Sequence, residues 1–257
     1  MSLREWPAND YAIGSYIQAT VADNYLSRLN INPSDRVLDI GCGDGSYTRK
    51  VLAKVPTGSV LGLDASENML HLARKVTSDY PNFSVQKGDV LNLDYSSLFD
   101  YIVSFWCLQW ISDIHGAFVN IMNALKSGGK FLTLFPAGDD PYILGYYAVK
   151  ESGQFANLIN FKPPVDYSNL SNLTSKLEPI PCSQLRVELC QQSIMLPSLD
   201  VFRKFVNGIA FFQGQIPEQE IRQINEAIVR YFDNECKNKY NGEYQFNFTI
   251  YLITGEK

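Results

Sequence analysis

Residues 37–45 read Val37-Leu38-Asp39-Ile40-Gly41-Cys42-Gly43-Asp44-Gly45. An apolar, strand-like run breaks here into three alternate glycines, and a helix-like segment over residues 46–54 follows directly. Glycine adopts positive φ at little steric cost and lets a ligand approach the backbone closely. A strand, a glycine loop and a helix N-terminus together form a cradle for a nucleotide-sized ligand. The stretch therefore predicts a βα unit with a ligand site at its loop.

The charge of the loop narrows the choice of ligand. The dinucleotide fingerprint G-x-G-x-x-G is the main competitor, but here the third glycine falls one residue early, at Gly45, and Ser46 occupies the fingerprint position. Asp44 stands where a pyrophosphate would lie against the helix N-terminus, and its carboxylate would repel that group. A positively charged ligand fits better. The remaining alternative is an ordinary strand-to-helix turn whose glycines serve packing.

The stretch from Asp39 to Gly45 resembles the first motif of the class I S-adenosylmethionine-dependent methyltransferases. The cofactor of that family has a sulfonium and an ammonium group and no phosphate, which agrees with the charge argument. The resemblance implies that the cofactor is S-adenosylmethionine. It further implies cofactor contacts at Asp39, Gly41, Cys42 and Gly43.

Asp64 is a further candidate cofactor contact. It ends the apolar strand predicted over residues 59–64 and follows Gly41 by 23 residues. An acid at the carboxyl end of the second strand suits hydrogen bonding to ribose hydroxyls, in dehydrogenases as in methyltransferases. The alternative is that Asp64 caps the next helix, as Ser66 also could.

The ends of the next two predicted strands supply more candidates. A short strand from residue 83 ends in Asp89, and a buried strand over residues 98–106 opens toward the ligand crevice. The resemblance implies that Asp89 and the Val90 amide meet the adenine edge. The remaining cofactor contacts that it implies are Ala65, Met69, Ser104 and Phe105. Core packing is an equal alternative for Met69.

The order of elements predicts the fold class. Five strands alternate with helices in the first 136 residues, which indicates a doubly wound parallel sheet. The first helix is expected over residues 9–29, and a later one over residues 114–126, which residues 127–129 end before a strand at residues 130–135. The alternation then stops in an aromatic stretch, and strands are expected again over residues 184–196 and 244–253. Between them, helices are expected over residues 199–212 and from residue 217 onward. The resulting prediction is an α/β fold with a mostly parallel, seven-stranded sheet and an α-helical cap. Residues 1–136 would form an N-terminal helix and the cofactor half, and residues 137–257 the cap and the remaining strands of the same domain.

Within the family, the chain looks closest to the juvenile-hormone acid and trans-aconitate methyltransferases. The resemblance rests on residues 39–48, 104–110 and 118–129, and on the spacing of an early helix ahead of the glycine motif. It implies that Gln18 and Trp110 hold a substrate carboxylate, with further substrate contacts at Tyr11, Trp106 and Gln109. Gln109 stands where the insect enzymes often have histidine, so the exact acceptor is left open.

The choice of acceptor atom can be argued from chemistry. A carboxylate is ionised at neutral pH and needs no base, whereas a hydroxyl or amine generally does. The chain has two histidines, His71 and His115, and neither is placed in the predicted crevice. Methylation of a carboxylate on a small molecule is therefore favoured over methylation of a hydroxyl or amine. A nicotinamide-dependent dehydrogenase and a non-catalytic binder are the alternatives from other classes.

Composition and motifs argue against nucleic acid, a membrane and a metal ion as partners. The chain carries 22 Lys and Arg against 27 Asp and Glu without a basic run, so nucleic acid is not an expected partner. The absence of an Asn/Asp-Pro-Pro-Tyr motif after the fourth strand argues against base methylation. No apolar run approaches about 20 residues, and residues 1–7 lack a signal-peptide core, so a cytoplasmic protein without a membrane partner is expected. Five cysteines without a C-x-x-C pair predict reduced thiols and no metal site.

Overall fold

The computed structural model describes residues 15–257. The predicted substrate contact Tyr11 and the first turns of the helix predicted over residues 9–29 lie outside the described residues. Within residues 15–257, no helix is both long and apolar enough to cross a membrane.

One twisted sheet organises the fold. Its strands are β1 (Arg36–Ile40), β2 (Ser59–Asp64), β3 (Phe83–Lys87), β4 (Phe99–Phe105), β5 (Leu125–Pro136), β6 (Ser183–Met195) and β7 (Gln245–Glu256). They lie in the order β3-β2-β1-β4-β5-β7-β6. The first five strands pair in parallel, and β7 runs antiparallel between β5 and β6. The predicted seven-stranded, mostly parallel sheet is confirmed.

Helices cover both faces of the sheet. They are α1 (Tyr16–Leu26), α2 (Thr48–Leu52), α3 (Glu67–Thr77), α4 (Ile114–Ala124), α5 (Pro141–Glu151), α6 (Tyr167–Leu170), α7 (Leu173–Leu177), α8 (Leu199–Gly208) and α9 (Glu218–Lys239). Successive residues of a strand face opposite sides, and in β1 Val37 joins one core while Leu38 joins the other. The first core is shared with α1, α5, α8 and α9, the second with α4, α6 and α7.

The junction between α4 and β5 differs from the prediction. Residues 127–129 were expected to end a helix over residues 114–126, before a strand at residues 130–135. Instead α4 ends at Ala124, and β5 begins at Leu125, which is fully buried and pairs with Phe99 of β4. The expected break is absorbed as a register irregularity between β4 and β5, where Gly128 has φ of +74°. Burial of Leu125 against the sheet outweighs the local turn signal of the glycines.

The aromatic stretch after β5 forms the predicted helical cap. Helix α5 lies close against α9, since a Cβ on Gly145 would come within 2.9 Å of the Ile228 side chain. The rings of Tyr146, Phe161 and Phe211 pack against one another in edge-to-face and tilted arrangements in the buried core. Much of the aromatic content of the cap is therefore packing. β5 ends at Pro136, the predicted boundary of the cofactor half, although the division into two halves stays a prediction.

Candidate cofactor and acceptor site

The loop between β1 and α2 accepts only glycine where the chain turns. Gly41, Gly43 and Gly45 have φ of +76°, +57° and +77°, a region in which L side chains are strained. A Cβ on Gly41 would also lie 2.4 Å from the Cβ of Cys107, just after β4. The Gly41 amide donates to Leu63 O at 2.7 Å. The loop backbone is therefore held against the ends of β2 and β4.

The Asp64 carboxylate fastens this loop to the end of β2. Its Oδ2 accepts from the Gly43 amide at 2.9 Å and its Oδ1 from the Ser66 amide at 2.9 Å. The N-cap of α3 is Ser66, whose hydroxyl accepts from the Met69 amide at 3.3 Å. Asp64 thus lies at the loop, while the capping role belongs to Ser66.

Asp39 places a second carboxylate beneath the same loop. It is only 3% exposed, and its Oδ2 accepts from the Thr48 hydroxyl of α2 at 2.7 Å. Burial raises the pKa of Asp39 to about 7; the Thr48 hydrogen bond opposes this shift and the Asp64 charge adds to it. Two carboxylates close to one loop favour a cationic ligand and disfavour a phosphate.

The other predicted cofactor residues lie around the same edge of the sheet. Asp89 is partly exposed and accepts from the Leu91 amide at 2.9 Å, which caps a short 3₁₀ turn that contains Val90. The Ser104 hydroxyl donates to Ile40 O at 2.8 Å, and this bond ties β4 to β1. The remaining predicted cofactor contacts are Cys42, Met69 and Phe105, which are buried, and Ala65, which is partly exposed. Parallel strands bring all of these to one crevice at their carboxyl ends.

A largely apolar cavity lies beside this crevice, beyond the ends of β4 and β5. It encloses about 560 Å³, including open water at its mouth. Its apolar walls include Pro136, Ile143, Val165, Phe205, Phe211, Phe246 and Phe248. Four of the five predicted substrate contacts also line it: Gln18, Trp106, Gln109 and Trp110. The structure thus brings together residues that are up to 92 positions apart in the chain.

Two glutamine side chains supply polar atoms to this cavity. The Oε1 atoms of Gln18 and Gln109 are buried and lack a hydrogen-bond partner within the described part of the chain. The Gln109 amide nitrogen donates to Trp106 O at 3.0 Å. An unpaired buried polar atom costs about 1 to 3 kcal/mol, and a primary amide can present either its oxygen or its NH₂ group. A ligand hydroxyl at this end of the cavity would remove that cost by donating to Oε1, whereas a carboxylate would bind where an amide turns its NH₂ group toward the cavity.

Trp106 connects the cavity to helix α1. Its indole N–H donates to Gln18 O at 3.0 Å, and its ring packs at 6.0 Å from that of Phe248. Its φ of +62° is unusual for a bulky residue. The predicted contact between Trp106 and a substrate can therefore involve its ring, because its N–H group already binds the backbone of α1.

Comparison with known proteins identifies the family. A family profile described as "Methyltransferase domain" matches residues 37–129, from β1 through the glycine loop to the start of β5. Juvenile hormone acid O-methyltransferase of Bombyx mori is 28% identical over 86% of this chain and 84% of its own length. The chain therefore carries a methyltransferase domain over residues 37–129, and its fold is that of the class I S-adenosylmethionine-dependent methyltransferases. The predicted family and its S-adenosylmethionine cofactor are confirmed.

Other relatives of this methyltransferase align over less of their length. A putative methyltransferase of Invertebrate iridescent virus 6 is 32% identical over 64% of this chain and 61% of its own length. Trans-aconitate 2-methyltransferase of Deinococcus radiodurans is 34% identical over 52% of this chain and 51% of its own length. The chain therefore matches between half and two thirds of these relatives. YcgJ of Bacillus subtilis superposes with a TM-score of 0.62 over 94% of this chain and 98% of its own, at 19% identity, which shows the fold alone.

Sequence reasoning missed one charged residue of the methyltransferase cavity. Asp140 lines it, is 7% exposed and N-caps α5, where its Oδ1 accepts from the Tyr142 and Ile143 amides at 3.1 Å. Burial raises the pKa of Asp140 to about 6, the Asp139 charge adds to the shift, and the two amide donors oppose it. The dipeptide Asp140-Pro141 is a helix-start signal, but only the fold shows that this helix begins at the cavity.

Proposed function

We propose that this methyltransferase uses S-adenosylmethionine to O-methylate the carboxylate of an apolar small molecule. The observation that carries the proposal is the cavity, in which Gln18, Gln109 and Trp110 meet apolar walls beside the cofactor crevice. The name of the Bombyx mori relative, an acid O-methyltransferase, supports an acid as the acceptor.

The glycine loop fits the cofactor on two counts. At Gly41 the chain has no Cβ and no room for one, so the backbone itself forms the surface of the crevice. Asp64 gives this surface negative charge, and the buried Asp39 beneath it adds charge as it ionises around pH 7, which suits a ligand with an ammonium and a sulfonium group. When bound, S-adenosylmethionine supplies a methyl carbon to an acceptor oxygen, and the electron pair of the broken carbon–sulfur bond stays on sulfur.

The residues of the cavity position the acceptor. The amide NH₂ groups and the indole N–H of Trp110 are donors that suit carboxylate oxygens. The aromatic walls exclude water and hold the rest of the acceptor, so that its reacting oxygen is oriented rather than freely solvated. A carboxylate has no proton to lose at neutral pH, so the pocket needs no general base.

Asp140 favours a second candidate function, methylation of a hydroxyl group. A buried carboxyl with a pKa of about 6 lies in the range in which a side chain can accept a proton near neutral pH. In that reaction the hydroxyl proton would pass to Asp140 as the oxygen is methylated.

A turnover assay with labelled S-adenosylmethionine separates these candidates. Each acceptor is offered as a pair, a carboxylic acid and the primary alcohol with the same apolar skeleton. We expect the acids to be methylated in preference to the alcohols, at a rate that is nearly flat from about pH 6 to 8. Turnover of alcohols alone, with a rate that rises with pH through about 6, would establish the second candidate. If calorimetry shows cofactor binding but no member of any pair is methylated, the proposal is wrong.

Gln18 provides a variant test of acceptor positioning. Gln18→Leu removes the amide but keeps an apolar side chain, so the KM for the acid should rise at least tenfold while the affinity for S-adenosylmethionine stays within about twofold. Thr20→Ala is the matched control, because Thr20 lies on the same helix and its hydroxyl donates only to Tyr16 O. Equal losses of acceptor and cofactor binding would instead indicate that α1 is generally disturbed.

A further inference from the structure

Charge is distributed unevenly around the acceptor cavity. Of the described residues that line it, Asp140 alone carries a formal charge, and the others are apolar, aromatic or amide side chains. The cavity therefore contains a carboxylate and, among these residues, no cation to pair with an incoming anion. An acceptor group placed deep in it would experience the Asp140 charge with little screening by water.

Among the described residues, the neighbours of Asp140 do not neutralise its charge. Tyr167 lines the same cavity, and burial together with the Asp140 charge raises the pKa of its phenol well above the usual value, so it stays neutral. Asp139 adds a second negative charge and is bonded to the Thr249 amide and hydroxyl at 2.7 and 2.6 Å. The amides of Tyr142 and Ile143 are the donors that the Asp140 carboxylate contacts at the start of α5.

We infer that Asp140 sets the charge selectivity of this enzyme, by excluding acceptors that carry a second anionic group and admitting acids with one carboxylate and an uncharged body. The inference rests on the proposed methylation of a carboxylate. The reacting carboxylate lies next to the cationic cofactor, which offsets its charge. A second carboxylate further along the acceptor meets Asp140 instead, and no described residue of the cavity lining offers it a compensating positive charge.

Substitution of Asp140 can remove the charge while keeping the helix cap. Asn and Ser are both good N-cap residues, and their side-chain oxygens can accept the same amide hydrogen bonds. Asp140→Asn and Asp140→Ser should therefore fold with α5 intact. Asp139→Asn is the matched control, because it neutralises the adjacent carboxylate, which lies outside the cavity lining and binds Thr249.

The test compares three acceptors of equal chain length with labelled S-adenosylmethionine at pH 7.5. They are a straight-chain monocarboxylic acid, the α,ω-dicarboxylic acid with the same number of carbons, and the methyl half-ester of that diacid. The unsubstituted protein should prefer the monoacid over the diacid by at least tenfold in kcat/KM and should accept the half-ester like the monoacid. In Asp140→Asn and Asp140→Ser the preference should fall at least tenfold, whereas Asp139→Asn should keep it.

The possible failures are distinguishable. A purely structural role of Asp140 would lower turnover of all three acceptors together and leave their ratio unchanged, which would overturn the inference. Rejection of the half-ester along with the diacid would also overturn it, because polarity rather than charge would then be selected. If none of the acids is methylated although the protein binds S-adenosylmethionine, the proposed function fails and the inference fails with it.

Discussion

Asp39 is buried next to a second carboxylate, and this predicts an unusual pH dependence of stability. Its folded pKa of about 7 lies above its value of about 4 in the unfolded chain, so its contribution to stability is complete below about pH 4 and is lost as pH rises through 7. Asp39→Asn keeps an acceptor for the Thr48 hydroxyl and removes the charge. We expect the ligand-free variant to be more stable than the unsubstituted protein at pH 8 by a few kcal/mol, with the difference vanishing near pH 4, as measured by urea unfolding.

Asp100 provides a control, because its contribution to stability should depend on pH in the opposite direction to that of Asp39. Partial burial acts to raise its pKa, but hydrogen bonds from the Lys126 ammonium and the Arg36 amide outweigh burial and lower it. The contribution of Asp100 to the free energy of unfolding is therefore present above the pKa that Asp100 has in the unfolded chain, and it is lost as pH falls through its lower folded pKa. Asp100→Asn should destabilise the protein at pH 7 and matter less in acid. If both variants shift the unfolding curves in the same direction with pH, burial does not control the ionisation of Asp39.

Asp64 should dominate the affinity for the cofactor. Its carboxylate accepts from the Gly43 amide of the loop, and the ribose hydroxyls of the cofactor are its predicted ligands. Hydrogen bonds to a charged acceptor contribute about 1.5 to 3 kcal/mol each and are not additive, so Asp64→Ala should weaken S-adenosylmethionine binding by roughly 2 to 4 kcal/mol. Calorimetric titration of the variant with S-adenosylmethionine measures this loss of binding free energy. Asp44→Ala is the comparison, because Asp44 accepts from Ser46 within the loop, and an equal loss there would show that loop charge in general, rather than Asp64, sets the affinity.

Single residues were predictable where a local motif fixes their place. The positions of Gly41, Gly43 and Asp64 could be predicted because each lies at the end of a predicted strand or in the loop that follows it. Parallel strands bring these positions to the same edge of the sheet. Asp140 was missed, since its distance from Gln18 depends on how the cap folds over the sheet. The roles assigned to the individual cofactor and substrate residues stay predictions until a ligand is bound.

Trp106 is one of the side chains that attach helix α1 to the sheet. Trp106→Phe removes the indole N–H and leaves Gln18 O without that donor, at an expected cost of about 0.5 to 1.5 kcal/mol. We expect the amides of α1 to exchange hydrogen faster while those of β1 and β4 do not change. Tyr25→Phe is the control: it breaks the 2.7 Å bond from Gln192, whose amide also donates to Cys190 O and Gln191 O, and should have a smaller effect. Faster exchange throughout the sheet would contradict a local role for Trp106.

Elements were predictable to the extent that periodicity determines them. The apolar runs of β1, β2 and β4 and the amphipathic pattern of α9 fall within a few residues of their predicted bounds. The start of β5 lies outside its predicted bounds, because Leu125 joins the strand by pairing with Phe99 of β4, and a long-range pair of this kind leaves no local signal in the sequence. The helix expected over residues 199–212 ends at Gly208, and Phe211 and Phe212 turn into the aromatic core. Tertiary packing therefore decided the boundaries that local signals missed.

The whole molecule combines one predictable half with one that depends on long-range pairing. Strands β1 to β5 follow from the βα alternation, whereas β7 inserts between β5 and β6 after two long helices. That insertion places Phe246 and Phe248 in the acceptor cavity, next to residues of α1 and α5. Sequence patterns thus indicate the cofactor and the fold, but the shape of the acceptor cavity arises only from the assembled sheet and cap.

Thermal unfolding of the complete chain tests the cofactor assignment as a property of the folded state. A ligand that binds only folded protein stabilises it by about 2.7 kcal/mol at a hundred times its Kd. For a chain of this size that corresponds to a rise in Tm of roughly 5 to 10 °C. S-adenosylmethionine should produce this shift and NADH should not, because Asp39, Asp44 and Asp64 surround the loop where a pyrophosphate would lie. Gly41→Ala should abolish the shift, since its Cβ would collide with Cys107 at a φ of +76°. A rise in Tm with NADH and none with S-adenosylmethionine would mean that the loop binds a dinucleotide in spite of its charge.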